Sequence, residues 1–587
     1  MLHALRTLGE ILGGPLAYDP VNARHVVVLE FSADGGYQGT VLESFQASYL
    51  PRYLFKRAKG SNPPTLTPTL ILNRGALTKS LKNARNAYRK LHALGHSFST
   101  LDLENEALWE RMATEIAAKI EGVKRNERVL LTVRIAGQFM GDRADFRQAL
   151  LAKFREEGQA SLVQGRCAVC GEEKGISGDI SPFKFYTIDK PGYVVGGFDK
   201  ARAYKAFPLC YDCRDLIQRG RQHVEANLTF AFAPRIRYLL IPDFIFGTDA
   251  VRRDVLDILT EERQQRKQRL HTLAHREFRR ITTDEEDILE LLGEERDMMT
   301  FHFLFMTRQQ GRESIDLYIQ DVYPSRLQAL FAAKERVDAF LRFPREDGTW
   351  QNYDFTYATM YRFLSKADPS KRDPDLLRHF YDLVDRTFRA APVPEGYFIP
   401  FLMTQIRYDV VTPDRRDAGW YRPTIRDALA TLLFVQFTTQ KEVPMSDKRP
   451  ETLETFLGSL PALDSSLEKG IFLLGALTER LLRVQGQERG SAPFWKALKG
   501  LKMNATDLQG LLPKVRNKLE EYDRFRGGEA TLFQKAADYL AQVPPAAWKR
   551  HNVDELNFYF ALGMGLFPKI AAYIYAPDQP NPEEVAA

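Results

Sequence analysis

The sequence predicts an α+β chain. An N-terminal α/β domain with a sheet of antiparallel type carries a cysteine-bearing insert. A mainly helical middle and a C-terminal helical bundle follow. Three observations support this reading. A β-branched run near the start turns back on itself over residues 24–46. All four cysteines fall between 167 and 213. From about residue 250 the apolar residues recur at helical spacing almost to the end. A chain of 587 residues is too long for one core, so two to four domains are expected. The predicted boundaries are 1–165 with 215–250 for the α/β domain, 166–214 for the insert, 251–440 for the middle and 441–587 for the bundle.

The elements follow from local signals. Val26 to Phe31 is β-branched and aromatic, Asp34-Gly35-Gly36 supplies a turn, and Thr40 to Phe45 returns, so 24–46 reads as a hairpin. Pro63, Pro64 and Pro68 bar a helix in the stretch that follows. Helices are predicted over 77–93, 104–122 and 145–157, with a strand at 129–135. Leu228 to Phe232 and Tyr238 to Phe246, split by Pro234, read as strands returning to the N-terminal sheet. Residues 250–275 are charged and helical, and 284–299 repeat that character with acidic bias. Phe301 to Met306 reads as one last strand, followed by helices with breaks near 392–400, 411–413 and 444–450. In the bundle, Ile471, Leu473, Leu474, Leu477, Leu481 and Leu482 share one helical face. The tail after Ala576 reads as disordered.

Composition is that of a globular protein, 44% hydrophobic and 27% charged. Lys plus Arg is 82 against 76 Asp plus Glu, so the net charge of +6 permits an anionic partner without demanding one. No run of about 18 apolar residues suggests a membrane span. The first twenty residues lack a signal peptide's apolar region. A cytoplasmic location is therefore expected, where paired cysteines serve better as metal ligands than as disulfides.

The pairs are Cys167-Ala-Val-Cys170 and Cys210-Tyr-Asp-Cys213. A C-x-x-C turn aims two thiolates at one ion, and two such turns complete a closed tetrahedral shell. Thiolates select Zn2+ over magnesium or calcium, and a closed shell argues for a structural ion in a zinc-ribbon insert. An iron–sulfur cluster and replacement of one ligand by His223 remain alternatives. Catalytic signatures are missing: there is no phosphate-binding G-x-x-x-x-G-K-[ST] loop, no H-E-x-x-H helix and no G-x-S-x-G elbow. His271 and His275 lie i, i+4 without a matching carboxylate motif, and Asp284 to Asp287 reads as a helix N-terminus.

Basic clusters are the remaining signal. Arg52, Lys56, Arg57, Lys59 and Asn62 lie in an aromatic-punctuated stretch whose Tyr53 and Phe55 either stack on unpaired bases or pack inward. Lys79, Lys82, Arg85, Arg89 and Lys90 line the 77–93 helix. From 471 to 518 there are nine bases and three acids. Such groups mainly contact phosphates.

The strings around the cysteines are distinctive. Cys167-x-x-Cys170 is followed by Lys184-Phe185-Tyr186-Thr187-Ile188-Asp189-Lys190-Pro191-Gly192-Tyr193, then Gly197-Phe198-Asp199-Lys200, then Phe207-Pro208-Leu209-Cys210-Tyr211-Asp212-Cys213. With VVVLEF, YLFKRAKGSNPPTLTPT, Asp321 to Arg326, PFWKALKGLKM, LLPKVRNKLEEY and LNFYFALGMGL, they span roughly 24–570. This order resembles the large subunit of type I-B CRISPR Cascade effector complexes. The resemblance implies a non-catalytic subunit near the 5′ end of the CRISPR RNA, beside the capping and backbone subunits. It implies recognition of a protospacer-adjacent motif on double-stranded DNA, support of R-loop formation, and recruitment of a helicase–nuclease in trans. Sequence specificity is then delegated to guide pairing. Lys56, Arg57, Lys59 and Asn62, with Arg52, are the first candidates for nucleic-acid contacts; Lys184, Lys190 and Lys200 are the second. Arg480, Arg483, Lys496, Lys499 and Lys502 are candidates for a single-stranded DNA path. The resemblance also implies a small subunit made from an internal start, with Met445 the candidate and Met403 the runner-up. A zinc-stapled nuclease and a stand-alone zinc-ribbon adaptor are the competing readings.

Overall fold

A computed structural model of the chain describes residues 1–13, 18–19, 21, 23–57, 65–93, 101–102, 105–150, 162–178, 182–183, 185, 200–266, 299–309, 312–344, 350–365, 374–439 and 452–575. The chain is mixed α+β and divides into two units. One comprises 1–227 with 308–314, the other 228–307 with 315–587.

The first unit opens with helix α1 (Leu2–Ile11) and the expected hairpin of β1 (His25–Phe31) and β2 (Tyr37–Ser44). Gly35 has φ +94° in the turn, and its N–H donates to the Ser32 carbonyl at 3.0 Å. Strands β3 (Leu70–Ile71), β4 (Val129–Ile135) and β5 (Gln138–Phe139) complete a sheet ordered β2-β1-β4-β3, with β5 on β4. The sheet is mixed and not purely antiparallel, because β1 and β4 run parallel. The long crossover that parallel pairing needs carries helices α2 (Leu77–His92) and α3 (Ala107–Ile120).

Burial on both faces explains the unbroken apolar run of β1. Val27, Leu29 and Phe31 pack with Leu81, Tyr88, Trp109 and Met112 of the helices. Val26 and Val28 face the other way, onto Tyr53, Phe55 and Phe139. The sequence reading of 145–157 is met by a helix from 144 to 150; 151–161 lie outside the described residues.

Three short strands form a second sheet: β6 (Val163–Arg166), β7 (Glu173–Ser177) and β8 (Leu209–Cys210), in that order. Helix α4 (Tyr211–Asn227) leaves β8 directly. It packs on α1 through reciprocal glycines. A Cβ on Gly9 would stand 2.1 Å from the Leu216 carbonyl oxygen, and one on Gly220 would stand 2.0 Å from that of Leu5.

In the second unit, β9 (Thr229–Ala233) and β10 (Ile236–Phe244) do not return to the N-terminal sheet. They form a separate antiparallel sheet with β11 (Met299–Gln309) and β12 (Arg312–Val322), ordered β12-β11-β10-β9. The reason is an aromatic face that matches helices downstream. Phe232 stacks on Tyr357 at 4.4 Å, and Phe303 meets Phe388 edge-on at 4.8 Å. β12 corrects the sequence reading, in which Phe301 to Met306 is the last strand and the pattern beyond it is helical almost to the end.

Helix α5 (Asp249–Arg266) precedes β11, and α6 (Pro324–Phe340) follows β12. Then come α7 (Pro374–Arg389), α8 (Glu395–Val411), α9 (Tyr421–Thr439), α10 (Ser466–Arg489), α11 (Gly527–Ala541) and α12 (Val553–Ile574). α10 and α12 form the centre of the bundle. A Cβ on Gly475 would lie 1.9 Å from the Phe560 carbonyl oxygen, and one on Gly563 would lie 1.8 Å from that of Phe472. With no side chain in the way, the two backbones touch. Packing continues across residue 441: Gly565 of α12 abuts Ile425 of α9, where an added Cβ would meet it at 2.5 Å. Ser465 and Asn552 cap α10 and α12 with reciprocal capping boxes to Glu468 and Glu555.

Candidate metal centre and nucleic-acid interface

The cysteines are brought together by the small sheet. Cys167 follows β6, and the chain turns through Cys170 to Gly171, which takes φ +73°. The Gly171 N–H closes the turn on the Cys167 carbonyl at 3.0 Å, and Ala168 N–H donates to the Pro208 carbonyl at 2.8 Å. That last bond ties the first C-x-x-C to the second. Cys210 pairs with Ile176 in the β7–β8 ladder, and Cys213 sits in the first turn of α4.

One sulfur from each cysteine lies within 4.8 Å of every other. Cys170 Sγ and Cys210 Sγ are 4.0 Å apart. A tetrahedral ion with bonds of about 2.3 Å needs sulfurs about 3.8 Å apart, so the spacing suits a single ion. Backbone N–H groups support the sulfurs: Val169 and Cys210 donate to Cys167 Sγ at 3.5 and 3.4 Å, and Cys213 donates to Cys210 Sγ at 3.4 Å.

The electrostatics call for a cation. Hydrogen bonds from the Cys213 thiol and backbone hold Cys210 down to about 5. The neighbouring Cys210 and burial hold Cys213 far up as a thiol. Burial also raises Cys170. Four thiolates cannot ionise side by side without a metal, and a metal makes them do so. His223 is not part of this group; its Nδ1 lies 3.3 Å from Asn227 Nδ2.

The basic candidates are distributed unevenly. Arg52 forms a bidentate pair with Asp142 at 2.9 and 3.0 Å and lies over the Tyr49 ring. Lys56 is 5% exposed, with Nζ 2.7 Å from Asp19 Oδ1. Tyr53 and Phe55 are buried in the second core, so neither is presented for base stacking. Arg57 is exposed, and its backbone N–H donates to Asp19 Oδ2 at 2.9 Å. Lys59, Asn62, Lys184, Lys190, His271, His275 and Met445 lie outside the described residues, while Lys200 begins a 3-10 turn to Lys205. Lys56→Ala is expected to cost on the order of 3 kcal/mol by leaving Asp19 without its buried partner. Arg57→Ala should change stability by less than about 0.5 kcal/mol. Denaturant melts of the two variants check this.

In the bundle, Arg480 binds Glu529 at 2.7 Å and Arg483 binds Glu479 at 3.0 Å. Lys496 and Lys502 are exposed, and Lys499 pairs with Asp507 at 2.6 Å. Around Arg483 lies a cluster that the 471–518 charge count missed. Glu479, fully buried, also accepts from Arg422 Nε at 2.7 Å and Tyr421 Oη at 2.8 Å. Asp409 takes Arg415 at 2.6 Å, and Asp427 takes Arg362 at 2.7 Å. Arg426 stands among them, its guanidinium destabilised by burial and by the charges of Arg483 and Arg422. Arginines thus outnumber acids on a half-buried surface. Trp420, 51% exposed, lies beside it under Arg415 at 5.0 Å. The available signal was the i, i+4 spacing of Arg422 and Arg426, which falls in the middle region.

Three family models match in order along the chain. The N-terminal domain of CRISPR-associated protein TM1802 matches 1–152, the central domain 164–322 and the C-terminal domain 355–576. The chain belongs to the CRISPR-associated TM1802 family. The TM1802 central domain takes in both the cysteine sheet and β9 to β12, which agrees with the separation of those strands from the N-terminal sheet. TM1802 membership supports a role as the large subunit of a Cas effector complex. No curated protein matches the chain. Among the described residues of this TM1802 chain, no helix is long and apolar enough to cross a membrane.

Proposed function

We propose that the chain is the non-catalytic large subunit of a type I-B RNA-guided surveillance complex. It sits at the 5′ end of the CRISPR RNA beside the capping and backbone subunits, reads the adjacent motif on duplex DNA, supports the R-loop and recruits a helicase–nuclease. The observation that carries this reading is the in-order match of all three TM1802 domains. Pairing between guide and target supplies the sequence specificity, so the protein needs phosphate contacts and a short base-reading site.

Cys167, Cys170, Cys210 and Cys213 hold zinc. The ion supplies no reaction step; it fastens β6–β7 to β8 and α4. Sulfurs 4.0 Å apart with N–H support suit that ion.

Arg57 with Lys59 and Asn62 contributes to the duplex site, and Lys184, Lys190 and Lys200 are the second set of contacts to nucleic acid. Arg52 and Lys56 act there by holding the segment in shape. The single-stranded path follows the bundle surface of Lys496, Lys499, Lys502 and the arginines around Glu479, with Trp420 as a base-stacking platform. Lys496→Glu combined with Lys502→Glu should weaken binding of single-stranded DNA at every sequence. It should also flatten log K against log salt by about 0.7 for each phosphate that is no longer neutralised. An unchanged slope would remove those lysines from the path.

A separate small subunit starting at Met445 would lack α8 and α9. Tyr421 and Arg422, which partner the buried Glu479, would be absent from it. Such a product would need a covering partner in the complex.

Co-expression with a CRISPR array and the companion subunits tests the function. Recovery of a complex containing CRISPR RNA is expected. Cleavage of DNA by the pure chain with magnesium would favour a nuclease instead.

A further inference from the structure

We infer that the second unit binds a phosphomonoester, the terminal phosphate of a nucleic-acid strand or of a nucleotide, in a clamp of two arginines. Arg422 lies in the first turn of α9 and Arg483 on α10. Each gives its Nε to one and the same oxygen, Glu479 Oε1, at 2.7 and 3.0 Å. Glu479 is fully buried, and Tyr421 Oη donates to its other oxygen at 2.8 Å. One carboxylate thus fixes two guanidiniums side by side. Their side chains stay one-third exposed, 34% for Arg422 and 32% for Arg483.

The ends of the two side chains are open to a ligand. A guanidinium carries five N–H donors. Among the described residues Arg483 donates only through Nε, and its guanidinium carbon lies 5.0 Å over the Phe567 ring. The donors on its two Nη atoms remain. Arg422 Nη1 faces Gly419, which takes φ +75°; a Cβ there would stand 3.0 Å from that nitrogen, so the absent side chain keeps the approach clear. Forked donors of this kind take phosphate oxygens two at a time.

Charge selects the kind of phosphate. Arg422, Arg426 and Arg483 face the single carboxylate of Glu479, because Asp427 is taken by Arg362 at 2.7 Å and Asp409 by Arg415 at 2.6 Å. Two positive charges are left over. The Arg426 guanidinium is disfavoured by burial and then by the charges of Arg483 and Arg422, a repulsion that an anion relieves. A backbone diester brings one negative charge, whereas a monoester brings about 1.5 to 2 at pH 7. The monoester is the closer match. A base finds aromatic surface beside it: Trp495 meets Tyr421 edge-on at 5.2 Å, and Trp420 is 51% exposed. The inference rests on the single-stranded path proposed above for the strand that carries the phosphate; the clamp itself rests on Glu479.

The test uses the full zinc-loaded chain and a fluorescent thymidine oligonucleotide in three forms: 5′-phosphorylated, 3′-phosphorylated and without a terminal phosphate. Thymidine monophosphate and inorganic phosphate serve as competitors. One phosphorylated form is expected to bind about tenfold tighter than the unphosphorylated one. The preference should fade below about pH 6, where the monoester loses its second charge. Competition by thymidine monophosphate as strong as that by the phosphorylated oligonucleotide would assign the clamp to a free nucleotide, and weaker competition to a strand end. Arg483→Lys keeps a charge on Glu479 and removes the fork, so it should melt as the wild type does and bind the forms within about twofold of one another. Arg422→Lys should do the same. Equal binding of all three forms by the wild type overturns the clamp while leaving the single-stranded path standing. A preference that survives both variants overturns it as well.

Discussion

A Cys213→Ser chain is expected to purify with no bound metal and with the segment 162–213 open to protease. The wild type should carry one ion per chain. Among the described residues the small sheet has few other attachments: β8 is two residues long, and β6 pairs only with β7. So small a sheet offers little apolar surface of its own, so a bound ion would contribute most of its stability. Apparent binding energies of about 10–16 kcal/mol for structural zinc in finger peptides set the scale. The damage should spread along α4, because Cys213 is in its first turn, and reach α1 through Gly9 and Gly220. Hydrogen exchange in α10 and α12 should stay as in the wild type. Metal analysis and exchange together read the result. A metal-free chain with a protected 162–213 would show that the sheet stands without the ion.

The second large effect concerns the bundle. Gly563→Leu is expected to separate α10 from α12, because its side chain would occupy the place of the Phe472 carbonyl, 1.8 Å from the first added carbon. Overpacking a well-filled core costs about 1–3 kcal/mol when neighbours can shift. Here the neighbour is backbone on both sides, since Gly475 faces Phe560 in the same way, so the cost should exceed that range. Loss of exchange protection throughout α10 and α12, with binding of single-stranded DNA impaired and metal content unchanged, is the expected pattern. Gly486→Ala is the control: the same helix offers open space there, so stability should be kept.

Local signals were legible in the sequence, and distant partners were not. The β1–β2 hairpin, the helices at 77–93 and 104–122, the β4 strand and the cysteine pairs follow from spacing within a few residues. The parallel pairing of β1 with β4 does not, because their separation of about a hundred residues leaves no mark in either strand. The same holds for β9, whose Phe232 meets Tyr357 and Phe388 more than a hundred residues on. Charge was the least legible property. Lys56 reads as one of a basic run, yet its ammonium is buried on Asp19, 37 positions earlier. Arg483 reads as one of the bases of 471–518, yet it meets Arg422 of α9 on Glu479.

In the proposed role this TM1802 chain binds target DNA for a complex without cutting it. The most direct measurement compares target-duplex binding by the CRISPR RNA complex with and without the chain, in magnesium, before the helicase–nuclease is added. Loss of binding without the chain, full recovery on adding it back, and intact DNA until the helicase–nuclease arrives are expected. Equal binding without the chain, or cleavage by the chain alone, would contradict it.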